Sequence, residues 1–457
     1  MRYFRKILVL TISACLLVYI IKRKFWIQIL TRTGFKHPKT ALTHRSSQNF
    51  RNRTSQLEDG RISQDFLNRN IQLQDSKNVY FDTVGGVVCY IHGTIRRQLN
   101  SCICRDELTG EDCGIPLVVA DAHTYSSLKS KLKRRLNPRR VLMAITFNHE
   151  FDMLEARLYE HYEHVDVFLI VESNYSSHGD PKPLRLLERL KKGYLAEYVP
   201  KLMYIFLDTF PSSGRKDGWA AETYIKNAAS ILGLPRLNQT RPDDLYLFSD
   251  ADELVSKEIV IFLKLYEGYP EPMSFSLRWS TYTFYWKNKD NTVVTSACSL
   301  NMLKRLLDAK SNNIRGAAKE LSSSKNLNNV MRYRKLYGDV DIWVLGSTMH
   351  PAGWHCSWCS SPEDILVKLT SAINADFPRW GDYPEKRNLT YISNLIKTGT
   401  WFNGERLPTP TTLATEKNRS FAPAFFLDHF DTYKNLLRYD KEKQQELKIK
   451  ANDLTHA

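Results

Sequence analysis

A regular alternation of short apolar runs and helix-like segments is the feature that most constrains what this chain can fold into. The runs are rich in Val, Ile, Leu and Phe, and the segments between them carry apolar residues at helical spacing. Strands that alternate with helices in this way build βαβ units around a parallel sheet, so we predict an α/β domain. Its first strands are predicted at Val141–Phe147, Val165–Val171, Leu202–Leu207 and Leu245–Phe248. The predicted helices are Glu150–Tyr162, Leu184–Leu195 and Gly218–Leu232.

An acidic turn follows the fourth predicted strand directly. It contains Asp250, Asp252 and Glu253. Ligands of open α/β sheets bind just beyond the carboxyl ends of the strands, and two acids spaced i, i+2 share one face of an extended segment. Such a pair suits a hard divalent cation that is shared with substrate phosphates. The alternative is that the acids merely cap a helix, where Asp is also favoured.

A second group of chemically active side chains lies about a hundred residues further on, around His355. This histidine is either a third metal ligand or an ordinary core or capping residue. The nearby Cys356 and Cys359 have neither a thioredoxin-like pattern nor a second Cys-x-x-Cys pair around them, so we favour a structural disulfide that involves Cys298.

Two further carboxylates are candidates for a general base. Glu363 follows Pro362 at the start of a predicted helix that ends at Ala372, where acids are common for structural reasons alone. Asp382 lies in a polar and aromatic stretch with Trp380, of the kind that lines sugar sites. In contrast, residues 310–329 are rich in Ser, Asn and Lys, and we interpret them as a long mobile loop.

The N-terminal segment predicts a membrane-anchored protein. Basic residues flank a fifteen-residue apolar run at 7–21, with no cleavage site after it, which favours a transmembrane signal anchor within residues 1–30. A flexible stem is predicted at 31–78, a cysteine-rich module at 79–116, a basic linker with a solvated face at 117–139, the catalytic domain at 140–430 and a polar, frayed tail at 431–457.

Five N-x-[ST] sequons are compatible with a luminal body, and with a Golgi type II membrane protein. They begin at Asn52, Asn174, Asn238, Asn388 and Asn418. The net charge of +16 is spread along the chain, and no zinc-finger, RRM or KH signature accompanies it, so we expect no nucleic-acid partner.

Four cysteines within twenty-five residues form the cysteine-rich module. They predict two disulfides in a segment with little core of its own; a zinc site is the alternative, but no histidine beyond His92 falls at ligand spacing. The stretch from Cys102 to Gly114 resembles the C-terminal half of an EGF-like module. That resemblance implies the pairs Cys89–Cys102 and Cys104–Cys113.

The predicted catalytic domain resembles glycosyltransferase family 17. The matching stretches include FDMLEAR at Phe151–Arg157, VESN at Val171–Asn174, RPDDLYLFSDADE at Arg241–Glu253 and AGWHCSWC at Ala352–Cys359. Further matches are Phe206–Trp219, Phe262–Tyr266 and Asp376–Tyr383, so the resemblance covers roughly residues 79–430.

The resemblance implies a GT-A-like nucleotide-sugar transferase fold and an inverting transfer from UDP-N-acetylglucosamine. The acceptor would be the core β-mannose of an N-glycan, to which N-acetylglucosamine is joined in β1,4 linkage. The cation would be Mn²⁺ or Mg²⁺. A family member with another glycan acceptor, and an inactive membrane-tethered glycan-binding protein, stay open as alternatives. The roles that follow are Asp252, Asp250 and His355 as metal ligands, Asp250, Glu172, Glu253 and Trp219 as donor-binding residues, and Glu363 or Asp382 as the base.

Overall fold

The structure is a computed structural model that describes residues 57–58, 61–62, 64–98, 101–372, 375, 377–412 and 420–439. The predicted anchor and most of the predicted stem lie outside these ranges, as do Asn52, Asp376 and Asn418. None of the described helices is both long enough and apolar enough to span a bilayer.

A mixed nine-stranded sheet forms the centre of the described body. We number its strands β1 Val141–Phe147, β2 Val167–Ser173, β3 Leu202–Leu207, β4 Leu245–Asp250, β5 Glu253–Val255, β6 Glu271–Thr281, β7 Thr292–Ser299, β8 Val340–Leu345 and β9 Gly353–Ser357. Their order is β3-β2-β1-β4-β7-β6-β9-β5, and β8 pairs with the start of β6. The first four strands in this order are parallel, whereas β7 runs antiparallel to both of its neighbours.

Both faces of the parallel strands are buried, which explains why they read as continuous apolar runs. In β1, Met143 and Ile145 point into one hydrophobic cluster while Leu142 and Ala144 point into another, as the two-residue period of a strand requires. The register sets Thr146 of β1 beside Asp250 of β4, so the acidic turn emerges at the carboxyl edge of the sheet.

Helices cover both faces of the sheet and extend beyond it. We number those of the body α1 Phe151–His161, α2 Arg185–Leu190, α3 Gly218–Gly233, α4 Lys257–Leu265, α5 Leu300–Leu306, α6 Ser311–Arg315, α7 Ala317–Ser322, α8 Leu327–Tyr337, α9 Pro362–Ser371, α10 Leu389–Thr398, α11 Ala424–Asp428 and α12 Phe430–Leu437. Short 3₁₀ helices occur at Ala196–Lys201, Ser212–Arg215, Leu234–Arg236, Trp380–Asp382 and Pro384–Arg387. Local capping fixes several starts: the Ser361 side chain accepts a hydrogen bond from the Asp364 amide, and Pro362 occupies the first turn of α9.

The sequence-based elements from β1 to β4 are confirmed, with bounds that differ by a few residues at most sites. The loop interpretation of residues 310–329 is wrong. This segment folds into α6, α7 and the start of α8, and Ile314 and Ala317 are fully buried. Its polar composition misled the prediction because a few apolar anchors are enough to fix short helices on a larger body.

The cysteine-rich module consists of three small hairpins and two disulfides. The strand pairs are Phe81–Val84 with Val87–Tyr90, Thr94–Gln98 with Ser101–Cys104, and Leu108–Thr109 with Ile115–Pro116. Cys89 is bonded to Cys102 and Cys104 to Cys113, the two pairs that the resemblance implies. The Tyr266 hydroxyl donates to the carboxylate of Asp112, which ties the module to the body.

Three segments pack against the body, although the sequence analysis predicted that they are solvated or flexible. The end of the predicted stem forms a helix at Gln64–Asn68 and a strand at Ile71–Gln72 that pairs with Leu237–Asn238, and Phe66 and Leu73 are buried. The basic linker holds helices at Leu117–Ala120 and Tyr125–Leu128, and its strand Lys133–Arg134 pairs with Tyr266–Glu267. At the other end, α12 belongs to a buried cluster, so a frayed tail cannot begin at residue 431. Local strands are also formed at Leu57–Glu58 and Arg61–Ile62.

Candidate active site

The acidic turn lies between two strands rather than at the start of a helix. Asp250 ends β4, Ala251 and Asp252 form a turn, and Glu253 begins β5. The next helix starts only at Lys257, so the helix-cap alternative is wrong. Strand β5 pairs with β9, which sets Glu253 opposite His355 and joins the two groups of residues that the sequence analysis treated separately.

Close packing of β9 on β5 depends on Gly353. Its φ of +149° lies in a region that residues with a side chain rarely adopt. A Cβ atom there would also lie 2.1 Å from the carbonyl oxygen of Leu254. The glycine therefore allows the contact that carries His355 to the acidic turn.

A fully buried arginine, Arg157 of α1, holds the backbone of the acidic turn. Its guanidinium donates hydrogen bonds to the carbonyl oxygens of Asp250 at 3.1 Å, Ala251 at 3.2 Å and Glu253 at 2.6 Å. It also donates to the Ser249 hydroxyl at 2.8 Å. Burial lowers the pKa of Arg157 to about 10, against the opposing influence of the nearby carboxylates, so the group stays charged at neutral pH. It acts on the backbone, and leaves the carboxylates free to face a ligand.

Three basic side chains, each from a different helix, contact the carboxylates of the turn. Lys226 of α3 lies 3.1 Å from Asp250 and 2.7 Å from Glu222. Arg315 of α6 binds both oxygens of Glu253, at 2.6 and 2.9 Å, and lies 3.4 Å from Asp250. Lys368 of α9 lies 3.2 Å from Asp252. We call these bases and the carboxylates of Glu222, Asp250, Asp252 and Glu253 the acidic cluster.

The bases keep the two aspartates ionised. Burial alone would raise the pKa of Asp252, but the Lys368 ammonium and His355 hold that pKa well below its usual range. Burial likewise opposes ionisation of Asp250, and the charges of Lys226 and Arg315 lower its pKa. The same attraction raises the pKa of Lys226 despite its burial. Asp250 and Asp252 are therefore ionised at neutral pH, next to the positive charges of Lys226 and Arg315.

The cluster lines a cleft with a volume of about 690 Å³, within the range of small-molecule sites. Indole rings of Trp279, Trp358 and Trp401 also line it, together with the carboxylate-bearing Glu405. Trp279 stacks on His355 with an interplanar angle of 14°, and Trp358 packs edge-on against Trp401. We call the three tryptophans and Glu405 the aromatic cluster. Its mixture of flat apolar faces and one acid suits a sugar ring.

Lys368 joins the two clusters. Its ammonium lies 3.2 Å from an Asp252 oxygen and 4.9 Å from the centre of the Trp358 ring. Its side chain is 10 % exposed, so water screens this charge only weakly.

The structure brings together most of the sequence-predicted ligands. Asp250, Asp252, Glu253 and His355 all line the cleft. His355 lies 3.7 Å from Asp252, and its Nε2 atom is 3.0 Å from the Ser357 hydroxyl. Glu253 accepts a hydrogen bond from the Asp250 amide at 3.1 Å, which fixes the two acids relative to each other.

Two predicted donor-binding residues lie elsewhere. Glu172 is fully buried; its carboxylate accepts hydrogen bonds from the amides of Leu186 and Leu187 at the start of α2, and from the Tyr204 hydroxyl. It therefore stabilises the α2 end of the fold and has no surface in the cleft. Trp219 is 54 % exposed in the first turn of α3 and is not part of the cleft lining.

The two predicted bases also lie outside the lining of the cleft. Glu363 is exposed in the first turn of α9, and Asp382 is exposed and lies 3.7 Å from Arg379. Glu405, which the sequence analysis missed, does line the cleft. Within the described residues its carboxylate makes no ion pair or hydrogen bond, in contrast to the acids of the acidic cluster.

The cysteines near His355 bond to each other, so the expected disulfide with Cys298 is wrong. Cys356 and Cys359 form the bond, and Cys298 is a free and fully buried thiol in β7. Cys298 pairs with Tyr246 across the β4–β7 ladder and belongs to the apolar core, where a thiol behaves as a small hydrophobe.

The donor atoms of the acidic cluster fit a hard divalent cation that the protein shares with a substrate. No group of three or more His, Cys, Asp and Glu side chains within the described residues is arranged to hold a metal by itself. However, Mg²⁺ and similar ions are commonly bound by one or two carboxylates and completed by phosphate oxygens and water. Asp252 and Asp250 supply ionised carboxylates of that kind.

Arg157, Lys226, Arg315, Lys368 and Glu405 are the site residues that sequence reasoning missed. Arg157 is the final residue of the FDMLEAR stretch, so the resemblance offered a signal for it. The three bases had no local signal, because each meets the acidic turn only through the packing of its own helix.

The chain is similar in sequence to known glycosyltransferases. Residues 119–312 match the family model for glycosyltransferase family 17. The chain is 41 % identical over 345 residues to proteins of rat, mouse and human that are named β-1,4-mannosyl-glycoprotein 4-β-N-acetylglucosaminyltransferase. The match covers 75 % of this chain and 62–63 % of the length of these relatives.

A solved structure, the glycosyltransferase GlyE of Streptococcus pneumoniae TIGR4, aligns with 60 % of this chain and 66 % of its own. The identity is 12 % and the TM-score 0.22, which is too low to support an argument about the fold.

Proposed function

We propose, because residues 119–312 match the family model for glycosyltransferase family 17, that the protein transfers N-acetylglucosamine from UDP-N-acetylglucosamine to the core β-mannose of N-glycans, in β1,4 linkage. The observation that carries the proposal is the ionised pair Asp250 and Asp252 at the carboxyl edge of the sheet, in a cleft that also holds three tryptophans. The first feature suits a nucleotide diphosphate, and the second suits a glycan. The transfer of N-acetylglucosamine to a mannosyl glycoprotein follows the names of the relatives, and the UDP donor and the core mannose of an N-glycan follow the family resemblance.

The donor would bind over the acidic cluster in a GT-A-like fold. Asp252, with Asp250 beside it, would hold Mn²⁺ or Mg²⁺, and Glu253 and Arg157 would keep the turn in position. What a bound cation would supply there is neutralisation of the charge that builds up on the departing diphosphate. Lys226 and Arg315 would add fixed positive charge on the same side.

The acceptor would lie on the aromatic cluster. An α-linked donor and a β-linked product require inversion, and hence one general base that removes the proton of the mannose 4-hydroxyl. Glu405 is a carboxylate of the cleft lining that makes no ion pair or hydrogen bond within the described part of the chain, which makes it our first candidate. Glu363 and Asp382 stay candidates from the sequence, and would need a movement that brings them to the cleft.

Product analysis tests the proposal. The purified protein, incubated with UDP-N-acetylglucosamine, Mn²⁺ and a defined biantennary N-glycan, should add one N-acetylglucosamine, and NMR should place it in β1,4 linkage on the core mannose. Transfer to another position would identify a family member with a different acceptor. Glycan binding without transfer or donor hydrolysis would instead support the inactive glycan-binding protein.

We also propose that the protein is anchored in the Golgi membrane with its body in the lumen, and that its cysteine-rich module is EGF-like. Two disulfides, and a third at Cys356–Cys359, suit an oxidising compartment. Asn238 and Asn388 are exposed sequons, whereas the side-chain oxygen of Asn174 is buried. Glycosidase treatment should shift the mobility of the protein on a gel, and protease added to sealed vesicles should spare the body; an unshifted band and a digested body would reverse the topology.

A further inference from the structure

The three bases of the acidic cluster contact different carboxylates of the turn. Arg315 binds Glu253 through two hydrogen bonds, and Lys226 lies between the carboxylates of Glu222 and Asp250. The Lys368 ammonium lies 3.2 Å from an oxygen of Asp252. Asp250 contacts two basic side chains, Lys226 and Arg315, whereas Asp252 contacts Lys368 and lies 3.7 Å from His355, an imidazole that can itself bind a metal.

The charges of the cluster are nearly balanced in the absence of a ligand. Four carboxylates face the three bases, and the buried Arg157 guanidinium behind the turn brings the sum of the formal charges to zero. A divalent cation that joined this set would leave two net positive charges, the sign that attracts a diphosphate. The ammonium at Asp252 therefore occupies the position where added positive charge would otherwise be most favourable.

We propose that Lys368 competes with the divalent cation for Asp252 and turns to the nucleotide diphosphate once the cation binds. The inference rests on the proposed function, because it presumes a nucleotide-diphosphate donor. A lysine suits this exchange, since its ammonium is a point charge on a flexible four-carbon stem, whereas the planar fork of an arginine is fixed by paired hydrogen bonds. The Trp358 ring, 4.9 Å from the ammonium, gives the stem a surface to stay on while the charged end moves.

The two positions of Lys368 have opposite consequences for the two ligands. With Asp252 as its partner, the ammonium weakens binding of the metal alone. With the diphosphate as its partner, it strengthens binding of the nucleotide to the metal-loaded protein. A residue that merely stabilises the fold would change both affinities in the same direction.

Binding of Mn²⁺ alone and then of UDP to the Lys368→Met variant tests this. Methionine keeps the apolar stem but removes the charge. Free Mn²⁺ measured by electron paramagnetic resonance should show metal binding that is about tenfold tighter than in the wild type, as expected for one like charge removed from the vicinity of the metal. With Mn²⁺ saturating, calorimetry should show UDP binding that is about tenfold weaker.

Two further variants serve as controls. Lys368→Arg keeps the charge and should leave the Mn²⁺ affinity within about threefold of the wild type. Lys319→Met removes a charge from exposed α7, outside the cleft, and should change neither affinity. Circular dichroism and a melting curve establish that each variant is folded before binding is measured.

Unchanged or weaker Mn²⁺ binding in Lys368→Met would overturn the proposal, and so would a lack of Mn²⁺ binding in both the wild type and this variant. Unchanged UDP binding would overturn the second half of the exchange. None of these measurements uses a sugar or an acceptor. Failure of the proposed transfer reaction would therefore be seen separately, as intact metal and UDP binding without a glycan product.

Discussion

The acidic cluster and the aromatic cluster share one cleft but are built in different ways. The acidic turn is fixed by the ends of parallel strands, by the fully buried Arg157 and by bases from three helices. The aromatic cluster is more open: Trp279 is 37 % exposed, and Glu405 lies in a turn at the surface.

The aromatic cluster is nevertheless anchored from below. Phe402, in the turn that precedes Glu405, is buried, and its ring packs against those of Trp358 and Trp380. The comparison indicates that the donor side is rigid and electrostatically specified, whereas the acceptor side provides shape on a supported but exposed surface. Rigid placement matters most where charge develops during the reaction.

The largest expected effect comes from the centre of the acidic cluster. Asp252→Asn removes an ionised carboxylate that a neutral amide cannot replace as a metal ligand. Mn²⁺-dependent transfer should fall by about 10³-fold or more, with an unchanged melting curve. Radiolabelled transfer assays measure the loss. Near-normal activity would contradict the assignment of Asp252 as a metal ligand. It would also remove the functional distinction between the acidic cluster and the aromatic cluster.

The second-largest expected effect concerns the general base. It compares Glu405, which lines the cleft, with the two candidate carboxylates outside the cleft lining. Glu405→Gln should reduce kcat by about 10²–10⁴-fold while UDP and Mn²⁺ still bind, since the amide cannot accept the proton. Glu363→Gln and Asp382→Asn are matched controls outside the lining. A comparable loss in either of these, with an active Glu405→Gln variant, would transfer the role to the sequence-predicted residue.

Arg157 tests whether the rigidity of the acidic turn matters for the reaction. Arg157→Lys keeps the charge but cannot reach all three carbonyl oxygens that the guanidinium contacts. We expect transfer to fall by about 10–100-fold, as for other residues that orient ligands without touching substrate. The Mn²⁺ affinity should fall in parallel, and that second measurement separates positioning from a general loss of stability. Lower stability with unchanged Mn²⁺ affinity would reduce Arg157 to a core residue.

The smallest effect should be confined to the acceptor. Trp401→Ala removes an indole that lines the cleft without touching the acidic cluster. The KM for the glycan should rise about tenfold, which corresponds to about 1.4 kcal/mol, while the KM for the donor stays unchanged. Steady-state kinetics with each substrate varied in turn provide the measurement. Equal changes in both KM values would show that the two clusters are not separable.

Much of the fold could be predicted from the sequence because its parallel strands are locally encoded. A strand that is buried on both faces needs an apolar residue at every position, so β1 and β3 could be located to the residue. The acidic turn could be predicted equally well, since its three acids lie within four residues at the end of β4. Polar segments were harder: α6 and the strand at Lys133–Arg134 are ordered by distant partners that their own residues do not reveal.

The sequence by itself determined the α/β class, the place of Asp250 and Asp252 at a strand end, and the family resemblance. Only the tertiary structure decided which side chains surround those acids. Lys226, Arg315 and Lys368 are separated from the acidic turn by tens to more than a hundred residues, and they contact its carboxylates because α3, α6 and α9 pack around the same sheet edge. Tertiary packing likewise set Glu172 beneath α2 and Glu405 in the cleft. The type of element depends on contacts between near neighbours, but the charge environment of a site depends on distances in space that chain spacing does not fix.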